Sequence, residues 1–549
     1  MSCMNFRAFL FAVLATAAAA GEPESVPLFE GLGDHHRKVA TTSERAQRYF
    51  DQGLTWTHAF NHDEAIRSFA EAARLDPDCA MAWWGIAYCH GPHINNPVVP
   101  PERSKAAWAA LQEALKRRDK ALPLEKKLID ALAKRYADPA PEDRSALDAA
   151  YAEAMGEVYR AHKNDADVAH LYAESLMDLQ PWDLWTKDGE AKGRTGEILA
   201  VLEEALRRDP RHRGAHHLYI HAVEAGPTPE LGIPSADYLR DAAPGSGHLT
   251  HMPAHIDVQV GQWAQASVAN EKAIASDALY RAQSPRQGFY RLYMLHNHHF
   301  LSWASMMQGR SREAIEAARA MIATLPEDWL KENAAVADGY MPIAIEALMR
   351  FGRWDDLLAE PRPPEHFPIW RAKWRFARAI AYGAKGMTGE GRKEQALFRE
   401  DLGKVPADAM MAINKAHTVL SIADGMLEGE LCFREGRIDD AVKALRAAVE
   451  IEDGLLYMEP PDWIQPVRHT LGAVLVSAGR IEEAEKVYLE DLGVWPENGW
   501  ALFGLHQCLQ ARGAEAEAAA VKRRFARTWA KSDVEICATC LCVPMKPRG

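Results

Sequence analysis

From Glu44 to Trp529 the apolar positions recur three and four residues apart and hardly ever alternate, so the chain predicts helices throughout and almost no strand. The pattern is sharpest between Glu44 and Pro77. Ala46, Phe50 and Gly53 fall on one face of a first helix, Asn61-His62 forms the turn, and Ala65, Phe69 and Ala72 line a second helix. Asp76-Pro77 ends that second helix, because proline lacks the amide the next turn would need. Turns of one kind recur downstream at Gly261-Gln262-Trp263, Gly309-Arg310-Ser311, Gly352-Arg353-Trp354, Gly436-Arg437-Ile438 and Gly479-Arg480-Ile481. Acidic residues and a new helix follow each, as in Glu482-Glu483-Ala484-Glu485.

A 34-residue helix–turn–helix with small residues at the helix crossing resembles a tetratricopeptide repeat. The resemblance is strong at the two ends of the chain and loose in the middle. It implies an all-α solenoid of helical hairpins, roughly eight to ten of them at one hairpin per ~34–45 residues. On this reading residues 44–193 form N-terminal repeats, 194–360 central histidine-rich repeats and 361–530 C-terminal repeats. They are flanked by an extension over 21–43 and a cysteine-containing tail over 531–549. Three segments break the pattern: a loop from Gly91 to Pro101, an irregular link from Glu224 to Ser246 with four prolines, and a short linker from Pro361 to Pro368.

Composition narrows the partners. Net charge is −13 and no basic run is long enough to follow a phosphate backbone, which argues against nucleic acid and anionic membranes. Residues 1–20 carry one basic residue (Arg7), an apolar run from Ala8 and the small pair Ala18 and Ala20. That reads as a cleaved signal peptide, with a periplasmic or secreted bacterial protein and no membrane span once it is removed. The terminal Cys537-Ala-Thr-Cys540-Leu-Cys542 reads as a disulfide tether between tail and solenoid.

The candidate chemistry lies between His212 and His299, where ten of the 22 histidines fall in three groups. In His217-Leu-Tyr-Ile-His221-Ala-Val-Glu224 the two imidazoles and the carboxylate share a helix face, the presentation a metal needs. The motif is not HExxH, so peptidase chemistry is not indicated. In His248-Leu-Thr-His251-Met-Pro253-Ala-His255, Pro253 should open a helix with His251 at its mouth, His255 in its first turn and His248 on the incoming chain. In Tyr293-Met-Leu-His296-Asn297-His298-His299, His296 and His299 share a face and His298 points elsewhere. His58 with His62, His90 with His93, and His170 with Glu174 read as structural pairs, and His35-His36 as solvent-exposed.

The first two elements also resemble those of a group of bacterial secreted repeat proteins carrying H-x-Y-I-H-x-x-E and H-M-P-x-H. The resemblance implies a histidine-lined cavity in a tetratricopeptide-like fold and brings no reaction with it. The expected metal ligands are His217, His221, His251, His255, His296 and His299, with Glu224 as a ligand or orienter. Copper or zinc leads, with iron possible, and six histidines in helical pairs can hold two coppers. An enzyme built on this site, an oxidoreductase or hydrolase acting on a small molecule, would draw on Glu224 and Tyr293 for proton transfer, under a roof formed by the proline-rich link. The rival readings are a scaffold binding a protein or peptide in its concave groove, and a metal carrier.

Overall fold

The computed structural model describes residues 26–284 and 287–542, so the expected signal peptide lies outside the described residues. The chain is all-α, and among the described residues the strand content is one antiparallel pair, Met410–Met411 against Asn414–Lys415. The first hairpin lies where the sequence puts it, with α1 at Glu44–His58 and α2 at His62–Leu75. Ser43 caps α1 by accepting from the Ala46 amide, and Asn61 caps α2 by accepting from the Glu64 amide. Gly53 is where the helices close on one another. A Cβ there would meet the Phe69 ring at 2.5 Å, so the crossing requires glycine.

Two compact units divide the chain. The first comprises residues through Ile256 together with Lys272–Met294, and the second comprises Asp257–Glu271 and the chain from Leu295 onward. The first unit continues through α3 (Ala80–Cys89), α4 (Pro101–Arg117), α5 (Pro123–Leu132), α6 (Ser145–Ala161) and α7 (Ala166–Met177). Next come α8 (Thr195–Arg208), α9 (Arg213–Val223), α10 (Ile233–Ala242) and α11 (Gly247–His251), with the start of α12 (Pro253–Gln259). The expected irregular link from Glu224 to Ser246 is largely helical. Pro229 opens a short 3-10 turn and Pro234 sits in the first turn of α10, where a missing amide costs nothing.

The second unit packs helical hairpins such as Ala416–Arg434 with Ile438–Asp453 and Val467–Ser477 with Ile481–Val494. The glycines of its turns, Gly309, Gly352, Gly436 and Gly479, have φ of 72°, 63°, 79° and 75°, the left-handed conformation that ends a helix at low cost. The tail departs from expectation. Its disulfide joins Cys540 to Cys542 within the tail, while Cys537 is free and exposed. The tail is held instead by buried polar contacts. Thr539 Oγ1 donates to the His469 carbonyl at 2.6 Å and lies 2.8 Å from the Tyr488 hydroxyl.

Candidate functional site: two histidine clusters in the first unit

Helix α9 begins at its cap His212, whose Nδ1 accepts from the Ala215 amide, and the helix repeat then sets His217 and His221 one turn apart. Their Nε2 atoms face each other at 3.0 Å, and His248 brings its Nε2 to 3.1 Å from that of His217. The three ligand atoms lie within 4.8 Å of one another and all three residues are buried. His248 stands on α11, one turn before His251 and not on irregular incoming chain, so it joins a set from which the sequence reading had left it out. His251 ends α11 and His255 lies in the first turn of α12, as expected, with their Nε2 atoms 2.9 Å apart.

What holds the other edge of each ring sets its protonation. The carbonyl of His58 can only accept, so His217 Nδ1, 2.7 Å away, carries the proton. Glu224 Oε1 accepts from His221 Nδ1 at 2.7 Å, and its Oε2 lies within ion-pair distance of His255 Nδ1 at 2.8 Å. Burial alone would raise the Glu224 carboxyl. His255 and His221 against it outweigh that and hold it well below the usual carboxylate range. As a carboxylate it only accepts, so His221 is protonated at Nδ1. With its proton held at Nδ1, the neutral form of His217 or His221 turns an Nε2 lone pair inward. Within the His217–His221–His248 set only His248 can supply a proton, which satisfies His217 and leaves His221 without a donor. A proton on the rings themselves is disfavoured, because burial pushes His217 and His248 well below the ordinary imidazole range. Two inward edges with their outer nitrogens fixed, those of His217 and His221, beside His248, whose buried Nδ1 has no hydrogen-bond partner, form a set that a cation can draw together.

Aromatic rings encase this inner cluster. Phe60 lies 4.5 Å from His217 and parallel to His221 at 6.0 Å, Trp182 meets His221 edge-on at 5.2 Å, and Tyr293 sits 4.3 Å from His248. Phe60 (φ 54°) and Trp182 (φ 59°) are the two non-glycine residues of positive φ among the described residues of the first unit. Each such conformation costs roughly 1–3 kcal/mol. Both strained positions aim a ring at the imidazoles. Neither was legible in the sequence, where Trp182 is one tryptophan of 16.

A second, outer cluster gathers His35, His58, Asp167 and His212. The expectation that His35 is solvent-exposed fails, since its Nε2 lies 3.1 Å from Asp167 Oδ1, while His36 is exposed beside Asp51. His212 Nε2 reaches the same Oδ1 at 3.0 Å, and Arg37 Nη1 binds Asp167 Oδ2 at 2.8 Å. Because the Ala215 amide occupies the lone pair of His212 Nδ1, neutral His212 carries its proton at Nε2 and donates it to Asp167. Burial would raise the Asp167 carboxyl. The bonds from His212 and His35 hold it well below the usual range. The pocket at this cluster has a volume of about 660 Å³ and is lined by both acidic and basic side chains, among them Asp165, Asp167, Arg37 and Arg211.

The remaining expected site residues fall as follows. His216 turns away from the inner cluster, binding Ser235 Oγ at 2.9 Å and the Pro210 carbonyl at 3.0 Å. His296 and His299 belong to the second unit, where His296 lies edge-on to Phe300 and His299 packs on Tyr340 at 5.5 Å. Burial, with Lys373 adding to it, pushes His299 down to about 3. His62 and His93 meet edge-on at 4.5 Å, with His93 also 4.5 Å from Phe60.

Among known proteins, the tetratricopeptide-repeat family model TPR_16 matches residues 61–90, which span α2 and α3. No curated protein matches the chain. Among solved structures, the human IFIT1 dimer with m7Gppp-AAAA is 14% identical, with 89% of this chain and 91% of that one covered at a TM-score of 0.33. The Cut9 and Hcn1 hetero-tetramer of APC/C is 12% identical, with 90% and 75% covered at 0.30. Yeast Tom70 is 12% identical, with 88% and 91% covered at 0.25. Among the described residues the chain is all-α and built of helical hairpins, and its stretch over residues 61–90 matches the tetratricopeptide-repeat model.

Proposed function

We propose that this chain is a metal-binding helical-repeat protein whose centre is the inner cluster of the first unit. The observation that carries the reading is the convergence of His217, His221 and His248 through Nε2, with the Nδ1 protons of His217 and His221 already committed to a carbonyl and a carboxylate. Imidazole nitrogen suits copper and zinc, with iron next. Bound there, such an ion supplies Lewis acidity or, if copper or iron, one-electron chemistry. The chain's own residues do the rest. His217, His221 and His248 hold the ion, and Phe60 and Trp182 exclude water from two sides. Glu224 orients His221 through Oε1, its Oε2 beside His255 serves proton transfer, and Tyr293 against His248 is a second polar group for a substrate. The leader over residues 1–20 fits an exported protein acting on a small molecule as an oxidoreductase or hydrolase.

Metal analysis of protein purified without a histidine tag tests the reading. Stoichiometric copper or zinc, lost in His217→Gln with the helical circular dichroism unchanged, supports it. Metal-free wild-type protein that takes up neither ion on dialysis overturns it. A second reading, an interaction scaffold that binds a protein or peptide, is favoured by the repeat match at 61–90. Partner capture that survives loss of the metal would support it.

A further inference from the structure

We infer that the tail's three cysteines form a thiol–disulfide exchange site, in which exposed Cys537 opens the buried Cys540–Cys542 bridge and Glu430 protonates the departing sulfur. The site lies wholly in the second unit and is independent of the histidine clusters. A bridge across one intervening residue closes too short a loop to restrain the unfolded chain, so it adds little as a staple. The tail has other anchors beside it. Arg350 Nη1 donates to the Thr539 carbonyl at 3.4 Å, and Arg434 donates to that of Cys542. Opening the bridge therefore leaves the tail in place.

Both sulfurs are buried and meet polar side chains. Glu430, on the helix Ala416–Arg434, sets Oε1 3.1 Å from Cys542 Sγ and 3.8 Å from Cys540 Sγ, and Gln465 Nε2 lies 3.9 Å from Cys540 Sγ. A disulfide sulfur has no proton to give, so the hydrogen of the Glu430 contact belongs to the carboxyl. Burial keeps it there, raising Glu430 to about 8 against the smaller opposing effects of Arg434 and the Thr470 hydroxyl. Cys537, three residues before Cys540, is free and exposed. Its thiolate, the proton lost to water, attacks Cys540 Sγ. The Cys537–Cys540 bond forms, the Cys540–Cys542 bond breaks, and the electron pair leaves on Cys542 Sγ. A thiolate buried there is costly, and the Glu430 proton neutralises it. The carboxylate regains a proton from water, so this exchange needs no oxidant. A monothiol of the glutathione class then opens the new bond at Cys537, and a second leaves with the first as their disulfide. Cys537, Cys540 and Cys542 end as thiols.

The test follows bridge opening by reduced glutathione in the folded full chain at neutral pH, with N-ethylmaleimide trapping and peptide mass mapping. Wild type should open. Cys537→Ser should open more slowly by at least about tenfold, because the other two sulfurs are closed to a thiol in solution. Glu430→Gln keeps the shape without the acidic proton and should slow opening on the order of 100-fold, the lower reach of general acid catalysis. That deficit should disappear as pH rises past about 8, where wild type also loses the proton. Either variant opening at the wild-type rate, or a wild-type bridge that stays closed while the fold is intact, overturns the site. If Glu430→Gln loses its helical circular dichroism, Cys537→Ser, changed at an exposed position, decides alone.

Discussion

The inner and outer clusters of the first unit are built from the same residue types and differ in which edge of the ring carries the proton. In the inner cluster His217 and His221 give their Nδ1 protons outward, to a carbonyl and to Glu224, and turn their Nε2 atoms toward one another. In the outer cluster an amide already occupies His212 Nδ1, so the Nε2 proton points inward, onto Asp167. Asp167 there takes two histidines and Arg37, and its charge is answered without an ion. Closeness of histidine and carboxylate therefore does not make a metal site; the partner on the far nitrogen does. The outer cluster is a clamp, and what it clamps is the N-terminal extension carrying His35 and Arg37.

The largest expected contrast comes from breaking each cluster at its centre. His217→Gln should abolish metal binding, whereas Asp167→Asn should leave metal content unchanged and destabilise the fold. Removing one partner from a largely buried charged network costs about 3–5 kcal/mol, and the extension should become a site of early proteolysis. Elemental analysis and thermal melts of the two variants separate the roles. Loss of metal from Asp167→Asn with the melt unaltered would erase the distinction. Next comes Glu224→Gln, which keeps the shape and loses the charge that fixes His221 and His255. Affinity should fall on the order of 10–100-fold, read by competition with a chelator.

The two units should also part company with pH. In the first unit burial pushes His62 and His170 down to about 3 and His90 down to about 4. The unfolded chain then binds more protons than the folded one below about 6.5, so the stability these groups confer is complete above that pH and is lost as pH falls toward 3–4. In the second unit burial raises Glu430 and Glu452 to about 8. Here the folded state binds the extra proton, so stability is fullest below about pH 4.5 and declines as pH rises toward 8. Hydrogen exchange of metal-free protein, corrected for its intrinsic pH dependence, should show protection falling on the acid side in the helices around His62, His90 and His170 and on the alkaline side in those around Glu430 and Glu452. Parallel profiles in both units would contradict the assignment.

How much of this was legible in sequence follows from range. The hairpin over Glu44–Leu75 and the glycine turns are local, set by caps, periodicity and left-handed backbone within a few residues, and they came through. His217, His221 and Glu224 share one helix, so their common face could be read from spacing. The tautomer of His217 could not, because its partner is a carbonyl 159 positions away. The same holds for His35, whose burial depends on Asp167, 132 positions on. The link after Glu224 misled because its prolines sit in first turns, where they start helices, a distinction that needs the helix boundary to be known.

The smallest expected effect probes whether the clusters are independent. His58 belongs to both, with its ring near Asp167 in the outer one and its carbonyl holding His217 in the inner one. Gly214 on α9 packs against that ring, and a Cβ there would come within 2.7 Å of His58 Cδ2 and 3.0 Å of His170 Cε1. Gly214→Ala should gain about 1 kcal/mol of helix propensity and lose about 1–3 kcal/mol to overpacking. The net is a destabilisation of about 2 kcal/mol at most. The ring can turn about its own bond while the carbonyl stays anchored in the backbone of α1. Metal affinity should therefore change by less than about tenfold, under 1.4 kcal/mol, and a larger loss on titration would show that the clamp and the metal centre move as one.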